Sequence, residues 1–198
     1  MTFYSEESEK EETSKGTPNI VMEKLLKSRT IVISGEINQS LAEKVITQLL
    51  ILEEMGDEPI KIFINSQGGH VESADTIHDM IKFIKPKVIM IGTGWVASAG
   101  IIIYLAADKK NRYSLPNTRY MIHQPLGGFN GQATDIGIEA EEILKVRNRI
   151  NTIISEATNQ PLEKIEKDTD RNYWLNSDDA MTYGIVGKII STHPELDN

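Results

Sequence analysis

Apolar residues recur along the chain with two alternating periods, and that alternation lays out the fold. After Pro18, Ile20, Val21, Leu25 and Leu26 follow helical spacing, which predicts a short amphipathic helix. A strand follows at Ile31 to Ser34, closed by Gly35. Asn38 and Ser40 are cap candidates for a helix reaching Glu54, with Leu41, Val45, Ile46, Leu49 and Leu50 on its buried side. The Gly56-Asp57 turn leads into a strand at Ile60 to Ile64, and Asn65 to Gly69 reads as a turn run. Helical periodicity resumes from Val71 to Ile84, Pro86 ends it, and Val88 to Ile91 is a strand apolar on both faces. Strand, helix, strand, helix in this order implies a parallel sheet covered by helices, with right-handed crossovers.

In such sheets the loops leaving the C-terminal strand ends converge on the ligand site. Here those loops are Asn65 to Gly69 and Gly92 to Ser98, and each feeds a helix N-terminus whose unpaired N–H groups favour developing negative charge. The later half holds short strands at Arg112 to Leu115 and Arg119 to Ile122, a Gly-rich loop, and a helix from about Thr134 to Thr158. That helix, of roughly 25 residues, would span roughly 37 Å, more than a small domain. Ile136, Ala140, Ile143, Ile150 and Ile154 form one stripe, while Ile138, Val146 and Ile153 face another side. Two apolar faces on a protruding helix point to self-assembly, the alternative being a central helix within one core.

Composition narrows the chemistry. The chain has 198 residues and no cysteine, which excludes disulfide scaffolds and cysteine-ligated metal sites. A net charge of −8 argues against a nucleic-acid partner and fits a soluble, cytoplasmic protein. Residues 1–17 form an acidic tail without a signal-like apolar run, expected to be disordered, and 191–198 form a polar C-terminal tail. Val88 to Ala107 is uncharged over 20 residues, the length of a membrane span. Gly92, Gly94, Gly100 and Ser98 interrupt it, so a buried strand, a tight turn and a buried helix are expected, and no membrane association.

Gly92 to Ala97 matches the relaxed dinucleotide pattern G-x-G-x-x-A, yet the next strand ends in Leu115-Pro116 where an acidic residue should stand. No phosphate-binding loop of the G-x-x-x-x-G-K-[ST] type is present, so any ATP-driven work needs another chain to hydrolyse the ATP. Of four histidines, His70 and His78 lack metal-ligand spacing, His78 reads as surface, and His193 lies in the tail; no metal and no cofactor are expected. His123 differs, because it ends the apolar strand Tyr120-Met121-Ile122 and should stand at a strand mouth. Ser98, flanked by Ala97, Ala99 and Gly100 at a strand-to-helix turn, is by itself a helix cap. With His123 as base, and N–H groups at Gly69 and Ala99 as an oxyanion hole, it becomes a candidate nucleophile.

These residues resemble the ClpP family, the proteolytic subunits of the Clp protease. The resemblance rests on Ile64-Asn65-Ser66-Gln67-Gly68-Gly69, Ala97-Ser98-Ala99-Gly100, Met121 to Gly128, Gly131 to Ile136, and Asp168-Thr169-Asp170-Arg171, and runs from about Ile20 to Ile190. It implies an α/β fold of the ClpP/crotonase type, a spiral of ββα units in one domain over 18–190, with 134–158 as a protruding handle helix. It also implies Ser98 as nucleophile, His123 as general base, and Gly69 and Ala99 as oxyanion hole. By the same resemblance Gly127, Gly128 and Phe129 belong to a substrate-binding strand, and Asp170 and Arg171 to a ring-to-ring contact. The implied assembly is two stacked heptamers fed by a hexameric AAA+ unfoldase of the ClpX or ClpC type.

The departures are specific. Where the family places the third triad member, an Asp, this chain has Asn172, whose carbonyl can orient the imidazole but cannot stabilise imidazolium by charge. Gln67 replaces a Pro, Ala99 replaces a Met, and Lys61 stands where the family carries an aromatic of the unfoldase-docking pocket, although Phe63 keeps another. The acidic tail lacks the usual axial-loop sequence. The expectation is a serine endopeptidase of weak intrinsic activity acting on peptides and unfolded proteins. The alternative is a largely structural subunit in mixed barrels with an active paralogue. A crotonase-type acyl-CoA enzyme shares the fold but would place carboxylates at the reacting carbon.

Overall fold

The computed structural model describes residues 17–128 and 130–196. The first helix, α1, covers Thr17–Lys27. It leads into β1 (Thr30–Ile37), α2 (Gln39–Glu54), β2 (Ile60–Gly69), α3 (Val71–Phe83) and β3 (Val88–Ala97), the alternation expected from the periodicity. The parallel sheet runs β1-β2-β3-β4-β7, with β4 at Arg112–Ser114 and β7 at Lys188–Ile189. Ile31, Ile33, Ile60, Ile62, Ile64 and Met90 are fully buried in its layer.

Local readings are corrected at the strand ends and on α2, and β3 likewise runs on to Ala97 through the stretch from Gly92 read as a loop. Neither β1 nor β2 stops where its glycine or turn residues suggested: β1 passes through Gly35 and β2 continues to Gly69, each past an irregularity near Ser34/Glu36 and Ile64/Ser66. Positive φ at Gly35, Gly68 and Gly69 absorbs the bend, so the glycines deform the strands without ending them. The buried stripe of α2 is Ala42, Val45, Leu49 and Leu52, while Leu50 and Ile51 face outward. Asn38, not Ser40, caps that helix, its side chain accepting the Leu41 N–H at 2.9 Å.

β3 forks the sheet. Its first half, Met90 to Gly92, pairs with β4, and its second half, Trp95 to Ala97, pairs with β5 (Arg119–Ile122), which in turn pairs antiparallel with β6 (Tyr173–Leu175). The fork opens at Gly92, whose carbonyl accepts both the Leu115 N–H and the Thr118 hydroxyl at 3.0 Å. A Cβ at Gly92 would lie 2.4 Å from the Tyr120 hydroxyl, so only glycine lets the two halves diverge there. The pair of glycines in the G-x-G-x-x-A stretch thus serves strand geometry. Beyond β3, α4 (Ala99–Tyr104) is wholly buried, which accounts for the uncharged run from Val88 to Ala107.

The long helix α5 spans Ala133–Thr158. Its C-terminal half buries Ile150, Asn151, Ile154 and Thr158 in the body, whereas Ile136, Ile138 and Leu144 on its N-terminal half are exposed. Two further helices, α6 (Leu162–Asp168) and α7 (Ser177–Tyr183), flank β6. Among the described residues no helix is long and apolar enough to cross a membrane.

Gly184 closes α7 with φ +100° under the end of α5, where a Cβ would sit 2.5 Å from the Thr158 carbonyl oxygen. Gly184→Ala is expected to cost at least about 1–3 kcal/mol, from the left-handed backbone and the collision together. Thermal melting should show a drop of several degrees; an unchanged midpoint would contradict the packing described.

Candidate active site

The ends of β2, β3 and β5 converge at Ser98. Its backbone has φ 54° and ψ −124°, a conformation that a non-glycine residue seldom holds without support. Support comes from two sides. The Ser98 N–H donates to the Met121 carbonyl at 2.9 Å, pinning the turn to β5. On the other side Gly68 packs so closely that a Cβ there would lie 2.6 Å from the Ser98 Cβ and 3.0 Å from the Ala99 nitrogen. Although Ser98 occupies the N-cap of α4, its hydroxyl makes no capping bond. It lies instead 2.6 Å from His123 Nε2.

His123 stands one residue past β5, at the strand mouth. β5 and β6 pair Met121 with Trp174 and Ile122 with Tyr173, and one further antiparallel step sets His123 across from Asn172. Asn172 is placed as a hydrogen-bonding partner for the His123 side chain, an influence that favours the charged ring. Burial holds the imidazole below its ordinary value of 6.5, and the Asn172 bond opposes that shift only in part, so the ring is neutral at neutral pH. With Nε2 facing the serine hydroxyl as acceptor, Nδ1–H is left for the asparagine carbonyl.

The segment carrying Asn172 is sewn to the chain just after His123. The Gln124 N–H donates to the Thr169 carbonyl at 2.6 Å and its side-chain amide to the Asp170 carbonyl at 2.9 Å. The buried Thr169 hydroxyl donates to Asn151 Oδ1 on α5 at 3.0 Å, tying the segment to the long helix. Asp170 and Arg171 lie beside one another with a side-chain separation of 3.4 Å, and Arg147 approaches Asp170 at 4.0 Å.

Between the Ser98–His123 pair and α5 lies an apolar cavity of about 20 Å³, room for about one water, walled by Val71, Ile101, Ile102, Pro125, Ile150 and Ile154. The two isoleucines of α5 in this wall were assigned by the sequence pattern only to an apolar stripe. Ala99 N–H is the first of α4 and has no partner within the helix. Gly69, with φ +148°, closes β2 next to Gly68, where a Cβ would collide with the Ile37 carbonyl oxygen at 2.2 Å. Gly127 packs against Ile143 of α5, and Gly127 and Gly128 lie in an irregular stretch with no strand; Phe129 is outside the described residues.

Three residues that shape the site escaped the sequence reading: Gly68 behind Ser98, Met121 through its carbonyl, and Thr169. Only Gly68 carried a signal, the doubled glycine. His78, expected at the surface, is buried, with 7% of its area exposed and Nδ1 3.0 Å from Asp79. Among the described residues no cluster of three or more His, Cys, Asp or Glu could hold a metal.

A strained serine on a strand-to-helix turn, hydrogen-bonded to a histidine that is oriented by a third polar side chain, defines the hydrolase class that uses serine as nucleophile. Sequence comparison specifies it further. The profile described as Clp protease matches residues 12–193, and the chain belongs to that family. It is similar to ATP-dependent Clp protease proteolytic subunit 3 of Rhizobium etli, 59% identical over 172 residues that cover 87% of this chain and 89% of the relative. The proteolytic subunit 2 of Pseudomonas aeruginosa is 52% identical over 89% of this chain and 88% of its own. ClpP1 from Listeria monocytogenes superposes with a TM-score of 0.81 at 61% identity, over 89% of this chain and 99% of that one. An Asn-to-Asp variant of that ClpP1 gives 0.84 at the same identity and coverage. The α/β fold with its projecting helix is thus the ClpP fold.

Gly68→Ala should abolish the alignment of Ser98, since its Cβ can be accommodated only by displacing the turn. The expected result is a folded protein whose Ser98 no longer reacts with an active-site serine reagent. Unchanged reactivity would show that the close approach is not required.

Proposed function

We propose that this chain is an attenuated serine endopeptidase subunit, hydrolysing peptides and unfolded polypeptides inside a barrel of two stacked heptamers. The 2.6 Å contact between Ser98 Oγ and His123 Nε2, on a strained turn, is the observation that carries this reading. His123 takes the hydroxyl proton as Ser98 attacks the scissile carbonyl, and returns it to the leaving amine. The N–H groups of Ala99 and Gly69 receive the oxyanion, and Gly127 and Gly128 line the path of the substrate backbone.

Asn172 sets the rate. Its carbonyl holds the imidazole in the useful tautomer, but as a neutral group it leaves the imidazolium of the transition state uncompensated. In the serine-protease template an Asp-to-Asn change costs about 10⁴ in turnover, largely through the wrong tautomer, so with the tautomer kept the missing charge alone should cost less than that. Hydrolysis of a short fluorogenic peptide is therefore expected to be slow in the native protein and absent in Ser98→Ala. Asn172→Asp should raise it by about two orders of magnitude or more. Equal, flat rates in all three, with the barrel intact, would instead support the second reading.

That second reading is a structural or regulatory subunit of a mixed barrel with an active paralogue, and the uncharged Asn172 is what favours it. Co-expression with such a paralogue followed by native mass spectrometry distinguishes the two assemblies. The exposed apolar half of α5, with Ile136, Ile138 and Leu144, fits burial between rings in either case, and Asp170 with Arg171 fits a contact across them. ATP-driven feeding requires a separate AAA+ unfoldase of the ClpX or ClpC type. Lys61 and half-buried Phe63 share the β2 face on which it would dock. A cytoplasmic setting fits this role. Acyl-CoA chemistry is disfavoured, because no carboxylate stands among the residues around the cavity.

The acid limb of the pH profile follows from the depressed His123. Since only the neutral ring accepts the Ser98 proton, kcat/KM should fall with a midpoint below 6.5 as pH drops. The carboxylate of Asn172→Asp favours imidazolium and should move that midpoint upward. A midpoint that stays put in the variant would contradict the assigned role of residue 172.

A further inference from the structure

The chain has two tryptophans, and the chemistry derived above uses neither. Trp95 pairs in register with Arg119 across β3 and β5, and Trp174 with Met121 across β5 and β6. Because side chains alternate along a strand, Arg119, Met121 and His123 share one face, as do Asn172 and Trp174. Both indoles therefore stand on the sheet face that carries the His123–Asn172 pair. Their ring planes lie 7° apart with centroids 6.3 Å from one another, and the Arg119 guanidinium sits 4.3 Å from the Trp174 centroid. Trp95 precedes Ser98 by three residues, and Trp174 follows Asn172 by two. The stack thus bridges over β5, joining the strand that delivers the nucleophile to the strand that delivers its third member.

This bridge has a physical purpose set by Asn172. An aspartate is held against an imidazolium by attraction that grows as the proton arrives, whereas an asparagine has only a neutral hydrogen bond. Its alignment must come from the backbone, and β6 is only three residues long. Aromatic stacking and a cation over an indole face add directional contacts where the ladder is shortest.

We infer that Trp95, Trp174 and Arg119 are positioning residues, a clamp that fixes the spacing of Ser98 and Asn172 on either side of His123. The inference rests on the serine-peptidase reading above. Its test combines far-ultraviolet circular dichroism, which detects the exciton couplet of stacked indoles, with the rate at which a fluorophosphonate modifies Ser98, and with kcat and KM for a peptide. Trp174→Ala and Trp95→Ala should lose the couplet, slow labelling roughly tenfold to a hundredfold, and lower kcat with KM little changed. Trp174→Phe, which loses the couplet but keeps a ring against Arg119, should restore most of the labelling rate. In an Asn172→Asp background the Trp174→Ala penalty should shrink, because the carboxylate holds the imidazole itself. Arg119→Gln, which spares both rings, should show a smaller fall in the same direction, and it carries the test if Trp174→Ala does not fold. Labelling at the native rate in the alanine variants, with the couplet gone, overturns the clamp alone. No labelling of either the native protein or Asn172→Asp overturns the peptidase reading and the clamp together.

Discussion

Ser98 is held in a backbone conformation that costs on the order of 1–3 kcal/mol, and most of the surrounding structure is arranged to make that conformation the only one available. A glycine with no side chain backs onto it from β2, the Met121 carbonyl fixes its N–H from β5, and the buried α4 begins at the next residue. The forked β3 serves the same end: by leaving β4 at Gly92 and joining β5, the strand carries Ser98 to the mouth of the strand that ends in His123. The short Oγ–Nε2 contact is a consequence of this frame, since the hydroxyl is turned away from its own helix and toward the imidazole.

The second constraint is the neutrality of Asn172. In the proposed mechanism, an amide where a carboxylate would give charge stabilisation separates two tasks that one residue performs elsewhere in serine hydrolases, orientation and electrostatics, and leaves Asn172 only the first. Gln124, Thr169 and Asn151 bind the 169–172 segment to β5 and to the long helix, so the geometry around His123 depends on where that helix lies. The other half of that helix leaves Ile136 and Ile138 exposed.

Much of this was legible in the chain. The alternation of periods gave β1 to β3 and α1 to α3, the uncharged run gave the buried strand-turn-helix, and the length of α5 with its two stripes pointed to a projecting helix. Ser98 and His123 were legible as a pair because a small-residue turn and a strand-terminal histidine both fall at strand mouths, while their roles came from the family resemblance. What escaped detection depends on pairing between distant strands. The fork at Gly92, the approach of Gly68, and the stacking of Trp95 on Trp174 exist only once β3, β5 and β6 are in register, and no local period encodes them. His78 was misplaced for a related reason: its charged neighbours on α3 mark an exposed helix, but its own position faces the body.

Hydrolysis as proposed depends on Ser98 being an activated nucleophile with its oxyanion site already formed. The most direct measurement is a crystal structure of the assembled protein soaked with a peptide boronate. We expect a tetrahedral boron bonded to Ser98 Oγ, one boron oxygen accepting from the N–H groups of Gly69 and Ala99, and His123 still bonded to Asn172. A boronate that leaves Ser98 unmodified, or an adduct whose oxygen points away from those two N–H groups, would contradict it.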